Sequence, residues 1–136
     1  MSKWSIIGVV IVVACATAVA GKRERELLAR DAIPAARAAE ANFKASCECE
    51  LSIVLDASLQ SEDEIRFAAY TAEEVSNGAP RYCTDAGSRK ALCRMKLLKI
   101  AAASRSSFTF DDGVGVATTN GHGHATWDMI TRTLDR

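Results

Sequence analysis

The sequence is poor in aromatic residues and carries no excess of charge of either sign. Aromatic residues make up 6% of the chain, so a folded core must be built mainly from Leu, Ile, Val and Ala. Lysine plus arginine and aspartate plus glutamate number 17 each, so no net charge favours a nucleic acid or an acidic partner. Charged residues form 25% of the chain, a share typical of a folded domain rather than a disordered one.

The motifs of common enzyme classes are missing as well. The sequence contains no phosphate-binding glycine loop, no nucleophile elbow, no dinucleotide-binding fingerprint and no stripe of basic and aromatic residues. The acidic residues 62–64 open a predicted helix, where carboxylates interact favourably with the helix dipole and need no catalytic role. We therefore expect a protein that is not an enzyme, uses no cofactor and does not bind nucleic acid.

One long apolar run is present, from Trp4 to Ala20 (WSIIGVVIVVACATAVA), with seventeen consecutive uncharged positions. A chain of 136 residues has no spare core in which to bury such a run, so we expect it to enter a membrane. We favour an uncleaved anchor, in which residues 1–21 form a single-pass transmembrane helix. The flanking Lys3, Lys22 and Arg23 would then reach the polar surfaces of the bilayer.

Two alternatives for this segment stay open. Ala18-Val19-Ala20 has the small-x-small form that precedes a cleavage point, so a signal peptide removed after Ala20 would leave a periplasmic or secreted protein. Cys15 lies in a relaxed lipobox and is a candidate for lipid attachment. The topology signals conflict, because residues 22–40 carry five Lys or Arg against one before the run, which favours a cytoplasmic domain. The cysteines favour export, and we expect an extracytoplasmic domain.

Four of the five cysteines, Cys47, Cys49, Cys83 and Cys93, lie beyond the apolar run. An even set in this position is typical of disulfides in an oxidising compartment. A bridge between residues two apart is strained, so we expect Cys47 and Cys49 to be tied to Cys83 and Cys93, with the pairing open. The alternative is an exported metal-binding or thiol-redox domain, for which the cysteine spacing is a poor match.

The only two histidines, His122 and His124, lie in a glycine-rich stretch. They would join the four cysteines in the alternative metal site. No third ligand is near them in sequence, so we interpret the stretch as a solvated turn.

Residues 22–45 (KRERELLARDAIPAARAAEANFKA) are rich in strong helix formers and alanine. They predict a helical stalk, either a membrane-proximal spacer or a helix that packs against copies of itself. Pro34 predicts a kink, or a new helix that begins near Asp31 with Pro34 in its first turn.

Residues 46–136 predict a disulfide-stapled domain. Cys47 to Leu55 alternates apolar and polar residues, which indicates a half-buried strand. Ser61 and Glu64 form a capping box that begins a helix, and Asn77-Gly78 predicts its end. On a second face of this helix, Phe67 and Tyr70 are a candidate interface, although core or rim packing is the more frequent role of such a pair.

The remaining segments predict a sheet. Residues 88–104 suit either helix or strand, and we favour a short helical turn followed by a strand. Asp112-Gly113 predicts a hairpin turn, and the threonine-rich Trp127–Leu134 predicts a last strand. The expected fold is α+β, with an apolar N-terminal helix, the stalk, and one helix packed on a four- to five-stranded antiparallel sheet.

In the order of these elements the chain resembles a type IV pilin or pseudopilin: an apolar N-terminal helix, a proline-interrupted continuation and a cysteine-stapled antiparallel sheet. It lacks the charged leader ending in glycine and the glutamate within the apolar run that mark this family. We expect a membrane-tethered envelope protein that binds a protein partner or assembles with itself.

Overall fold

The computed structural model describes residues 21–136. The predictions for residues 4–20, as an anchor, a signal peptide or a site of lipid attachment, concern residues outside this range. None of the helices within residues 21–136 is both long enough and apolar enough to cross a bilayer. The described elements are α1 (Lys22–Leu27), a π-helical turn (Leu28–Ala32), α2 (Ile33–Cys47), β1 (Ser52–Leu55), α3 (Glu62–Tyr82), α4 (Ala86–Leu92), β2 (Leu97–Ala102), β3 (Ser107–Asp111), β4 (Val114–Thr119) and α5 (Trp127–Leu134).

The predicted stalk forms α1, the π turn and α2 without a break. Pro34 lies in the first turn of α2, as predicted, but the backbone is helical through Ala32 and Ile33, so α2 continues the π turn instead of starting from a non-helical residue. The buried residues of α2 lie in the same hydrophobic core as those of α3 and the sheet, a contact that a spacer would not make; they are Ala36, Ala39, Phe43 and Cys47.

The strand predicted over Cys47–Leu55 is shorter than expected. Cys47 is the last residue of α2, and Glu48 ends that helix in the left-handed conformation with φ of 62°. The strand covers only Ser52–Leu55. The alternation of buried and exposed side chains is present, but the helix end and the following loop produce its first half.

Helix α3 begins as predicted and ends later than predicted. The Ser61 hydroxyl accepts a hydrogen bond from the Glu64 backbone N–H at 3.1 Å, and the Glu64 carboxylate accepts from the Ser61 N–H at 3.0 Å. The predicted stop at Asn77-Gly78 is wrong, because the helix continues to Tyr82. Gly78 is buried, and a methyl group there would overlap the Trp127 indole. Gly78 therefore provides space for packing rather than a helix end.

The later segments confirm two predictions and correct one. Residues 88–104 contain the end of a short helix, α4, followed by strand β2, and β3 and β4 form the hairpin with its turn at Asp112-Gly113. The predicted strand over Trp127–Leu134 is wrong, because this segment is helix α5, capped by the Thr126 hydroxyl. Thr131 and Thr133 donate their hydroxyl protons to carbonyls four residues earlier, so the helix itself satisfies these side chains.

The fold is α+β with a four-stranded sheet, but the predicted antiparallel arrangement is wrong. The strand order is β1-β2-β4-β3, and only β3 runs antiparallel to its neighbour. Helices α3 and α4 connect β1 to β2, and such a crossover gives parallel strands. The prediction of a single packed helix is also wrong, because α2 and α5 both pack against α3 and contact β1 and β3, respectively.

Candidate functional site: the Tyr70 surface

Helix α3 presents Phe67, Tyr70 and Glu74 on one side, at helical spacings of three and four residues. The rings of Phe67 and Tyr70 meet edge to face, with centroids 5.4 Å apart and an interplanar angle of 89°. Phe67 is half-buried, whereas Tyr70 is 39% exposed. The structure thus leaves Phe67 partly covered, by Tyr70 and His124 among others, and Tyr70 on the surface. That the two residues form an interface stays a prediction.

The glycine-rich loop after β4 brings His124 to this side of α3. Asn120 Oδ1 accepts hydrogen bonds from the backbone N–H groups of His122 at 2.9 Å and Gly123 at 3.1 Å. Gly121, with φ of 84°, adopts the left-handed conformation that glycine tolerates best. These features give the loop a defined shape and direct His124 toward α3.

The interpretation of this loop as a solvated turn fits His122, which is exposed, but not His124. The imidazole of His124 stacks on Phe67 with ring centroids 5.8 Å apart, and it lies 5.7 Å from the Tyr70 ring. Its Nε2 atom is 3.3 Å from Glu74 Oε1. We call the group formed by Phe67, Tyr70, Glu73, Glu74, Asn77 and His124 the Tyr70 surface.

Two hollows flank Tyr70. The first has a volume of about 310 Å³ and is lined by Tyr70, Glu73, Glu74, Asn77 and His124. The second, of about 580 Å³, lies between α2 and α3 and is lined by Arg30, Asp31, Pro34, Ala35, Ala38, Arg66, Ala69, Tyr70, Glu73 and Ser76. Tyr70 and Glu73 belong to both, so the phenol ring stands between a polar hollow and one lined by both charged residues and alanines.

The charges around the two hollows differ in how they are paired. In the larger hollow, Arg30 forms an ion pair with Asp31 and hydrogen-bonds to it, which lowers the pKa of that carboxyl. In the smaller hollow, Glu74 pairs with His124, and within residues 21–136 Glu73 has no ion-pair partner. Among residues 21–136, no lysine or arginine lines the smaller hollow. Its described lining therefore presents two carboxylates and no permanent cation.

The cysteines lie elsewhere, in two disulfides. Cys47 is bonded to Cys83 and Cys49 to Cys93, so the prediction that the first two are tied to the last two is confirmed. All four sulfurs are thereby oxidised, and a thiolate metal site would require reduced protein. Among the residues that the structure describes, no group of three or more His, Cys, Asp and Glu could hold a metal ion.

Sequence reasoning singled out Phe67 and Tyr70 as a pair and His124 apart from them, and it missed that His124 meets both rings. Glu73 is exposed, whereas Glu74 is half-buried against His124. The spacing of Tyr70 and Glu74, four residues apart on a helix, indicates that they share a side. No local pattern indicates the contact between His124 and Glu74, which are fifty residues apart.

No protein family, curated protein or solved structure matches this chain in the comparisons made. The interpretation of the Tyr70 surface therefore depends on the chemistry of its own residues. That chemistry combines an exposed aromatic ring, two carboxylates, an amide and an imidazole on a preformed part of the domain.

Proposed function

We propose that this protein is a non-enzymatic extracytoplasmic domain, held at a membrane by residues 4–20, that binds a protein partner through the Tyr70 surface. The observation that supports this best is the 39% exposure of Tyr70, a large side chain between two hollows. Tyrosine is enriched at the centres of protein interfaces, because its ring contributes large contact area and its hydroxyl group can still hydrogen-bond.

The way the surface is built also favours binding. Phe67, Tyr70, Glu73, Glu74 and Asn77 all belong to α3, and His124 is held against them by ring packing and by Glu74. A surface on a rigid helix loses little conformational entropy when a partner binds. The larger hollow beside Tyr70 offers three alanines to apolar side chains and charged groups at its rim, and the carboxylates of the smaller hollow would accept hydrogen bonds from polar side chains.

The two disulfides support the extracytoplasmic location. They close segments with sequence separations of 36 and 44 residues, and such bonds persist in oxidising compartments. The location is tested on protein made from the natural gene in its own cells, by membrane fractionation and intact mass with and without thiol alkylation. We expect membrane-bound protein with four cysteines that resist alkylation. Soluble protein that retains Met1 and has all thiols reduced would contradict the proposed location.

The binding function is tested by photocrosslinking in intact cells. Replacement of Tyr70 by p-benzoylphenylalanine should give a crosslink to one discrete partner. The matched control is the same replacement at Thr109, which is exposed on β3, on the sheet face opposite the helices. We expect Glu73→Arg, added to the Tyr70 probe, to remove the crosslink. Equal crosslinking from both positions, or none from position 70, would contradict binding through the Tyr70 surface.

A further inference from the structure

Within residues 21–136, strand β1 is at an edge of the sheet, because its one strand neighbour in this range is β2. The backbone N–H groups of Ser52 and Asp56 point to that neighbour and donate to the Lys96 and Ile100 carbonyls at 3.1 Å and 2.8 Å. Backbone groups alternate in direction along a strand of a parallel pair, so Ile53 points its N–H and C=O away from the sheet. Such outward groups are where another strand can add.

Two side chains of α2 form hydrogen bonds with the outward backbone groups of Ile53. Ile53 N–H donates to Glu40 Oε2 at 2.7 Å, and Arg37 Nη2 donates to the Ile53 carbonyl at 2.7 Å. Arg37 and Glu40 are themselves paired, with 3.2 Å between Nε and Oε1. The pair thus presents one acceptor and one donor to a single residue, as an adjacent strand does.

We propose that the Arg37–Glu40 pair is a guard that prevents the β1 edge from pairing with β1 of a second copy of the chain. In an antiparallel pair, two directly opposed residues exchange both of their N–H···O bonds. A two-fold axis through Ile53 would bring that residue opposite its own copy and replace both guard bonds at once. In that register Leu51 stands opposite Leu55, and Val54, which is 46% exposed, adds apolar surface beside the new pair.

The surroundings of the edge are open beside the guard, at the start of β1. A hollow of about 460 Å³ lies there, lined by Arg37, Glu40, Ala41, Lys44, Glu50, Leu51 and Ser52. The Lys44–Glu50 ion pair, at 3.1 Å, joins two exposed side chains. The guard pair is therefore the main polar group that must leave before a strand can approach Ile53.

The test compares the wild-type protein with the double variant Arg37→Met and Glu40→Met, which keeps side-chain length and removes both hydrogen-bonding groups. We expect the variant to form dimers by sedimentation velocity at a concentration at least tenfold below any at which the wild type associates. Hydrogen exchange at the Ile53 amide should be fast in the monomeric variant and slow in its dimer. A variant with both disulfides that stays monomeric over the same concentrations would overturn the proposal.

Two further variants keep the result interpretable. Asp128→Met with Arg132→Met removes an exposed ion pair on α5, at the opposite end of the sheet from β1, and it should remain monomeric. Glu40→Gln keeps an acceptor for the Ile53 N–H and should also remain monomeric. If the double variant does not fold, Glu40→Met alone replaces it: association through the Ile53 amide supports the guard, and a folded monomer refutes it.

Discussion

The two halves of this domain are stabilised by different kinds of interaction. The first half, residues 22–93, is closed by two disulfides that join the end of α2 and the following loop to the segments after α3 and α4. The second half, residues 94–136, is held by strand pairing, by packing of Trp127 on Gly78, and by polar contacts such as Tyr82–Asp135. The stability of the first half should therefore depend on redox conditions, whereas that of the second should depend on the packing of Trp127 and on pH.

The Tyr70 surface lies across the boundary between these halves. Tyr70 and the residues beside it on α3 belong to the disulfide-closed half, whereas His124 comes from the other. Loss of either kind of interaction should therefore disturb the Tyr70 surface, which we propose binds a partner. Four predictions test this comparison, from the largest expected effect to the smallest.

Removal of one disulfide should give the largest effect. We expect Cys47→Ala with Cys83→Ala to lower the free energy of unfolding by about 2–4 kcal/mol, because the unfolded chain loses one of its two crosslinks and gains conformational entropy. The change is measured by urea denaturation with the Cys49–Cys93 bond intact. Native hydrogen exchange should show α2 and α3 losing more protection than α5. Equal losses in both halves would refute the proposed division.

Gly78→Ala tests how the second half is attached. A methyl group at position 78 must displace the Trp127 ring, and we expect a loss of about 1–3 kcal/mol despite the better helix propensity of alanine. The control is Gly87→Ala in α4, where the added methyl group meets only the Asp85 carboxylate at 3.3 Å. This control should change stability by less than about 1 kcal/mol. Similar losses of stability from both variants would contradict the role given to the contact between Gly78 and Trp127.

The contact between Tyr82 and Asp135 should make stability depend on pH. Burial, aided by the hydrogen bond and negative charge of Asp135, raises the pKa of Tyr82 to about 12 from a usual 10.0. The folded state then binds its phenol proton more tightly than the unfolded state, so this contribution is complete below pH 10 and is lost as the pH rises toward 12.

We expect a loss of about 1–2 kcal/mol over that interval, after allowance for solvent screening of this partly exposed group. It is measured as the difference between wild type and Tyr82→Phe in urea titrations at several pH values. Tyr70→Phe serves as the control and should retain the wild-type pH dependence. If Tyr82→Phe also retains that dependence, the attribution to Tyr82 is wrong.

His124→Ala should have the smallest effect on stability and the most local one. Loss of ring stacking on Phe67 should lower stability by about 0.5–1 kcal/mol. Hydrogen exchange should become faster in residues 120–125 and leave α2 unchanged. The control is His122→Ala, whose exposed side chain should not matter. Photocrosslinking from position 70 should weaken with His124→Ala only, and a stronger response to His122→Ala would refute the role given to His124.

Local signals in the sequence predicted the elements that local chemistry determines. The Ser61–Glu64 capping box and the Asp112-Gly113 turn each satisfy their own backbone groups within a few residues, so they are visible without knowledge of the fold. The tie between the first and second cysteine pairs followed from bond geometry. The capping box and the turn were predicted because their energies depend on neighbours along the chain.

The features that were missed depend on distant residues. Gly78 is typical of a helix end, but packing of Trp127 from nearly fifty positions later keeps it helical. The threonines of α5 favour a strand by propensity, whereas burial of Ile130 and Leu134 on one side selects a helix. The parallel order of β1, β2 and β4 depends on where the α3–α4 crossover packs, which no local pattern reports. His124 in the Tyr70 surface belongs to the same class.

The π turn at Leu28–Ala32 has a consequence for how the chain tolerates changes in length. A regular α-helix turns by about 100° per residue, so Leu27 and Ala32, which are both buried, would point roughly 140° apart. The wider turn reduces that angle and keeps both in phase with α3. The segment thus holds one residue more than an uninterrupted α-helix would need. Loss of the exposed Ala29 would leave Leu27 and Ala32 four positions apart, about 40° from each other and still on one face of a regular α-helix.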